Sequence, residues 1–275
     1  MRQSNGLRST PALALAVTLV LAACATVQTT EPGAVGIERK QTMLVSEASV
    51  EQGAQEAYAT EVQHATADGK LNADPALTAR IRRITGRLIP VTATFRPDAP
   101  GWKWEVNTLT TPEMNAYAMP GGKIMVYSGL VEKLHLSDGE IAAVLGHEIS
   151  HALREHTRER VSRAYEQKVA LLGFAVITGV DPATLDLADS VAAVTFQLPH
   201  SREQEAEADV MGLELMARAG YDPHQAISLW KKMMAAEQST PPQFLSTHPA
   251  SANRVTELER HIPQVMPLYE AARSG

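Results

Sequence analysis

Between Ala76 and Leu88 the apolar residues Leu77, Ile81, Ile84 and Leu88 recur at three- and four-residue steps, the spacing of a helix that buries one face. Residues 41–68 read as an earlier helix, and Asn72-Ala73-Asp74-Pro75 as the turn between the two. From Trp102 to Leu109 the period drops to two, with Trp102, Trp104, Val106 and Leu109 among polar neighbours. Residues 115–119 and 123–127 then flank Pro120-Gly121-Gly122, which predicts strands around a tight turn. Ser137 and Glu140 form a capping box that opens a long helix over 138–160, with Ile141, Val144, Leu145 and Ile149 on one stripe. Further helices are expected over 201–219, ended by Gly220, over 225–237, and over 251–261. The run from Val169 to Val180 falls short of the roughly 20 residues that cross a bilayer, so it reads as a buried helix. The pattern predicts an α+β fold, mainly helical with a small sheet.

The N-terminus follows another logic. Arg2 and Arg8 precede an apolar stretch from Ala12 to Ala23, and Leu21-Ala22-Ala23 leads into Cys24, the sole cysteine. This reads as an export signal and resembles the bacterial lipobox, which implies cleavage after Ala23 and a lipid on Cys24. Ala25 after that cysteine implies sorting to the outer membrane. The expected organisation is a signal peptide over 1–23, a lipidated tether over 24–40 and one catalytic domain over 41–275, placed in the periplasm and joined to the membrane through Cys24. One cysteine also excludes an internal disulfide. With 25 Lys and Arg against 31 Asp and Glu, the net charge of -6 argues against nucleic acid as a partner.

The candidate chemistry lies on the 138–160 helix, where His147-Glu148-Ile149-Ser150-His151 is an HExxH motif. Four residues turn a helix by about 400°, so the two imidazoles stand one turn apart on nearly the same face and can share one zinc ion. Glu148 lies beside them as a candidate general base. His156, five residues past His151, rotates away and reads as a solvated or capping histidine. Downstream, Glu205 and Asp209 share a small apolar face with Ala208, Gly212 and Met216, while Glu203, Glu207, Val210 and Glu214 read as the solvated face. Glu205 is thus the candidate third ligand and Asp209 a candidate acceptor for a ligand histidine. His248 sits in a Thr-His-Pro loop, where a capping or surface role is equally compatible, and Arg254 reads by default as a solvated helix residue.

HEISH, SREQEAEAD, NAYAMPGGKIMVYSGL and LSTHPASANR occur in an arrangement over about 75–262 that resembles the zinc metallopeptidases including HtpX, BepA, LoiP and mitochondrial Oma1. In layout the chain is most similar to their periplasmic lipoprotein branch, typified by LoiP and YcaL. The resemblance implies a zincin-like gluzincin with one zinc on His147, His151 and Glu205, Glu148 as base, and His248 and Arg254 near the metal. It also implies that Asn115, Ala116, Tyr117 and Ala118 form an edge strand along which an extended peptide binds. The expected function is a zinc-dependent endopeptidase acting on unfolded or misassembled envelope proteins. The alternative is a non-proteolytic or dual-role assembly factor or chaperone for outer-membrane proteins.

Overall fold

A computed structural model describes residues 26–178, 187–237, 242–249 and 253–274. In chain order they form β1 (Thr26–Val27), β2 (Gln41–Thr42), α1 (Glu47–Ala67), α2 (Pro75–Val91), β3 (Glu105–Leu109), β4 (Ala116–Met119), β5 (Lys123–Tyr127), α3 (Ser128–Lys133), α4 (Asp138–Leu153), α5 (His156–Thr178), α6 (Leu187–Phe196), α7 (Arg202–Arg218), α8 (His224–Glu237), α9 (Phe244–Thr247) and α10 (Arg254–Ser274). The mainly helical α+β class is as expected. Cys24 and the leader before it lie outside the described residues, and within those residues no helix is long and apolar enough to cross a membrane.

β5 is the central strand of the larger sheet, parallel to β3 and antiparallel to β4, which leaves β4 at an edge. The β4–β5 turn is the expected Pro-Gly-Gly. Gly122 has φ +82°, and a Cβ there would meet the Trp104 ring at 2.8 Å, so the turn needs glycine for both reasons.

α4 is buried from Glu140 to Leu153, enclosed by β4, α2, α7 and α8. Its start carries the expected capping box, with Ser137 and Glu140 each accepting the other's backbone N–H. Ser201 and Gln204 repeat the device at the start of α7. α4 and α7 cross in backbone contact: a Cβ on Gly212 would lie 2.8 Å from the His147 nitrogen, and one on Gly146 would lie 2.9 Å from the Gly212 carbonyl oxygen. That crossing carries the Glu205 turn of α7 to the His147 turn of α4.

Four sequence expectations are corrected. The long helix ends at Leu153, because Glu155 adopts a left-handed φ of 52° and α5 starts afresh at His156. The final helix runs on to Ser274 through Pro263 and Pro267, since both prolines lie on its exposed side while Leu258, Ile262 and Val265 are buried on the other. α1 starts only at Glu47, after Ser46 caps it, because Gln41–Thr42 pairs with Thr26–Val27 as a strand. Finally, residues 28–43 are not a free tether. Val35 and Met43 are buried, Gln41 donates to the Arg154 carbonyl at 2.7 Å, and Arg39 reaches two internal carboxylates.

Candidate metal centre

His147 and His151 face one side of α4, with Nε2 atoms 3.0 Å apart. Glu205 enters from the first turns of α7, its Oε1 3.3 Å from His151 Nε2 and its Oε2 3.6 Å from His147 Nε2. His248, at the end of α9, brings Nδ1 to 3.2 Å from His147 Nε2 and 3.0 Å from Glu205 Oε1. All four side chains are buried. Tetrahedral donors at zinc–nitrogen distances of 2.0–2.1 Å stand about 3.3 Å from one another, so this set fits one zinc ion.

The hydrogen bonds behind the donors agree with that fit. Asp209 Oδ1 accepts from His147 Nδ1 at 2.9 Å, which leaves the His147 Nε2 lone pair bare and aimed at the other donors. Bare nitrogens and a carboxylate converging this closely repel unless a cation lies between them. Arg254 donates Nε to Asp209 at 2.6 Å and Nη2 to Glu205, while its guanidinium covers the Trp230 ring at 3.5 Å. It is buried, not solvated, and it neutralises the two acids from behind.

Glu148 faces the edge strand, where the Ala118 backbone N–H supports its carboxylate. Its Oε1 is buried with no hydrogen-bond partner and lies 3.4 Å from His248 Nε2. Burial pushes this carboxyl above its ordinary value, against the pull of His248 and His147. Burial alone would lower His248, yet the Glu148 and Glu205 carboxylates outweigh it and raise its pKa. Burial would likewise raise Glu205, but the surrounding histidines hold it well below the usual carboxylate range.

Asn115 to Ala118 line one wall of the cleft. The opposite wall is Thr195, Phe196 and His200 together with Thr247 and His248. The Phe196 and Tyr117 rings meet edge-on at 5.0 Å, and the His200 N–H donates to the Thr247 carbonyl at 2.9 Å. About 10 Å³ remains between the walls, barely the room of one water molecule.

The sequence reading missed three groups, two of them buried and one, His200, half-buried. His200 lies over His151 with ring centroids 3.9 Å apart, and no local pattern marks it. His156 is fully buried and touches His151, because the left-handed turn at Glu155 cancels the rotation that a continuous helix would impose. Glu207, read as solvated, is buried with Arg39, Arg154 and His156 as partners, and Val210 and Glu214 are buried as well. α7 is covered by α4, by α10 and by residues 28–43, whereas a single inward stripe allows one covered side. Glu203 alone of that set is exposed.

A model of peptidase family M48 matches residues 75–262. The chain belongs to peptidase family M48. Among M48 relatives, the mitochondrial metalloendopeptidase OMA1 of Schizosaccharomyces pombe is 34% identical over 217 residues, 77% of this chain and 60% of that protein. OMA1 of Saccharomyces cerevisiae is 34% identical over 62% of this chain and 50% of its own length. The beta-barrel assembly-enhancing protease of Escherichia coli is 26% identical over 71% of this chain and 41% of its own length. The chain therefore spans only about half the length of these M48 relatives. The first two are named as mitochondrial, which overturns the periplasmic, outer-membrane location expected from the leader.

Proposed function

We propose that this chain is a zinc-dependent endopeptidase that hydrolyses unfolded polypeptides. The observation that carries the reading is Glu148 Oε1, a buried carboxylate oxygen that accepts no hydrogen bond, beside a donor set of zinc dimensions. His147, His151 and Glu205 hold the ion, and Asp209 and Arg254 fix His147 and Glu205 in place. When bound, zinc polarises a peptide carbonyl and lowers the pKa of nearby water. An extended substrate lies along β4 and bonds to its main chain, with Asn115 to Ala118 as the docking edge and little selection among side chains. Glu148 takes a proton from the attacking water at Oε1 and passes it to the leaving amine nitrogen. His248 Nδ1 occupies the position a substrate carbonyl needs, so its ring swings aside on binding and then donates to the carbonyl oxygen.

Digestion of unfolded casein by wild type and by Glu148→Gln, with zinc content measured on both, tests this. We expect equal zinc and a fall in cleavage of about 10²- to 10⁴-fold in the variant, the range of general-base catalysis. Equal digestion by both proteins, or fragments from neither with zinc bound, overturns it. In the latter case, retained binding of unfolded clients by both proteins would identify a holding function instead.

A further inference from the structure

His151 is held from behind by a second imidazole. Its Nδ1 lies 2.8 Å from Nδ1 of His156, and His156 Nε2 lies 2.9 Å from Glu207 Oε2. Glu207 is itself clamped by two guanidiniums, Arg39 Nε at 2.8 Å and Arg154 Nη2 at 3.0 Å on its other oxygen. His151, His156 and Glu207 are all buried, so solvent does not compete for these bonds.

A carboxylate only accepts, and the hydrogen between Glu207 and His156 therefore sits on His156 Nε2. A neutral imidazole carries one N–H, and with that hydrogen on Nε2 facing Glu207 the His156 Nδ1 is a bare acceptor. The single proton between the two Nδ1 atoms then belongs to His151. That choice strips His151 Nε2 of hydrogen and points its lone pair at His147 Nε2 and Glu205 Oε1, 3.0 Å and 3.3 Å away. We infer that Glu207 and His156 are positioning residues that set the tautomer and ring angle of His151, so that its Nε2 is always ready for the metal. His147 obtains the same orientation directly from Asp209, whereas His151 obtains it through an intervening ring. The left-handed turn at Glu155 is what makes the second arrangement possible, since it returns His156 to the side of α4 that His151 faces.

A second cluster, His151, His156 and His200, has donor atoms close enough to hold an ion of its own. Arg160 argues against it, with Nη1 3.1 Å from His200 Nε2 and a positive charge where a second cation would sit.

The inference rests on the zinc reading of the site, and the experiment separates the two. Full-length wild type, His147→Ala, His156→Phe and His156→Gln are compared by chelator competition for zinc. Wild type should bind one zinc that His147→Ala loses; if it does not, the metal reading fails and the relay falls with it. Given that result, His156→Phe should bind zinc about 10- to 100-fold more weakly, the usual effect of losing a ligand's outer partner. His156→Gln, which can accept from His151 and donate to Glu207, should stay within about threefold of wild type. Nitrogen-15 NMR of zinc-free wild type should show the His151 proton on Nδ1, a reading that does not depend on the Phe variant folding. Undiminished affinity in His156→Phe, equal losses in both variants, a proton on Nε2 of His151, or two zinc ions per chain each overturn the relay.

Discussion

At the scale of single residues, the metal centre owes its order to acids that the sequence places within about one turn of each other on α7. Asp209 is the clearest. Its Oδ1 holds His147 and its Oδ2 holds Arg254, so Asp209→Ala should free one ligand and leave a buried guanidinium half-paired. Zinc affinity should drop by about 10- to 100-fold, measured by competition with a coloured chelator, and unchanged retention would refute the role. The spacings of HEISH and of Glu205 with Asp209 are legible in the sequence, because ligand geometry on an unbroken helix is a matter of angular arithmetic. His156, Glu207 and His200 are not. The first depends on a break in that helix, the second on a covering segment far away in the chain, and the third on a loop whose position is tertiary.

At the scale of elements, the crossing of α4 and α7 decides whether the four donors converge. Gly146 and Gly212 allow the two backbones to touch, and a methyl group at either site meets main-chain atoms that cannot rotate away. Gly212→Ala should cost about 1 to 3 kcal/mol from overpacking, read from denaturant unfolding of the zinc-free protein. It should weaken zinc binding as well, because the added bulk separates His147 from Glu205. A variant as stable as wild type with normal zinc affinity would show that the helices have slack. α2, α7, α8, the strands and the turn between β4 and β5 follow from periodicity and capping, and they stand close to where those signals put them. The full extent of α10 does not, since a proline is read locally as a stop, whereas Leu258, Ile262 and Val265 anchor the opposite face.

Over the whole molecule, residues 28–43 bind the helical core through a buried charge cluster. Burial would raise Glu159, but hydrogen bonds from Arg39, Gln204 and Gln41 bring it down from 4.5 to about 2, and Glu207 is depressed in the same sense. A carboxylate with a lowered folded-state pKa stabilises the fold fully above about pH 4.5 and loses that contribution as pH falls toward 2. Melting temperature should therefore decline across this window, and Arg39→Leu should flatten the decline. At neutral pH the same substitution should cost about 1 to 3 kcal/mol, less than for a wholly buried pair because the guanidinium is partly exposed. A pH profile identical to wild type would exclude the cluster as the source. The closed cleft has a pharmacological consequence. A small chelating inhibitor such as a hydroxamate can bind only molecules in which Phe196, His200 and His248 have moved off the edge strand. If one molecule in about a hundred is open, its apparent affinity is weakened by about a hundredfold. Inhibitor titration thus becomes a gauge of the opening equilibrium, and any substitution that loosens the Phe196–Tyr117 contact should sensitise the protein to the drug.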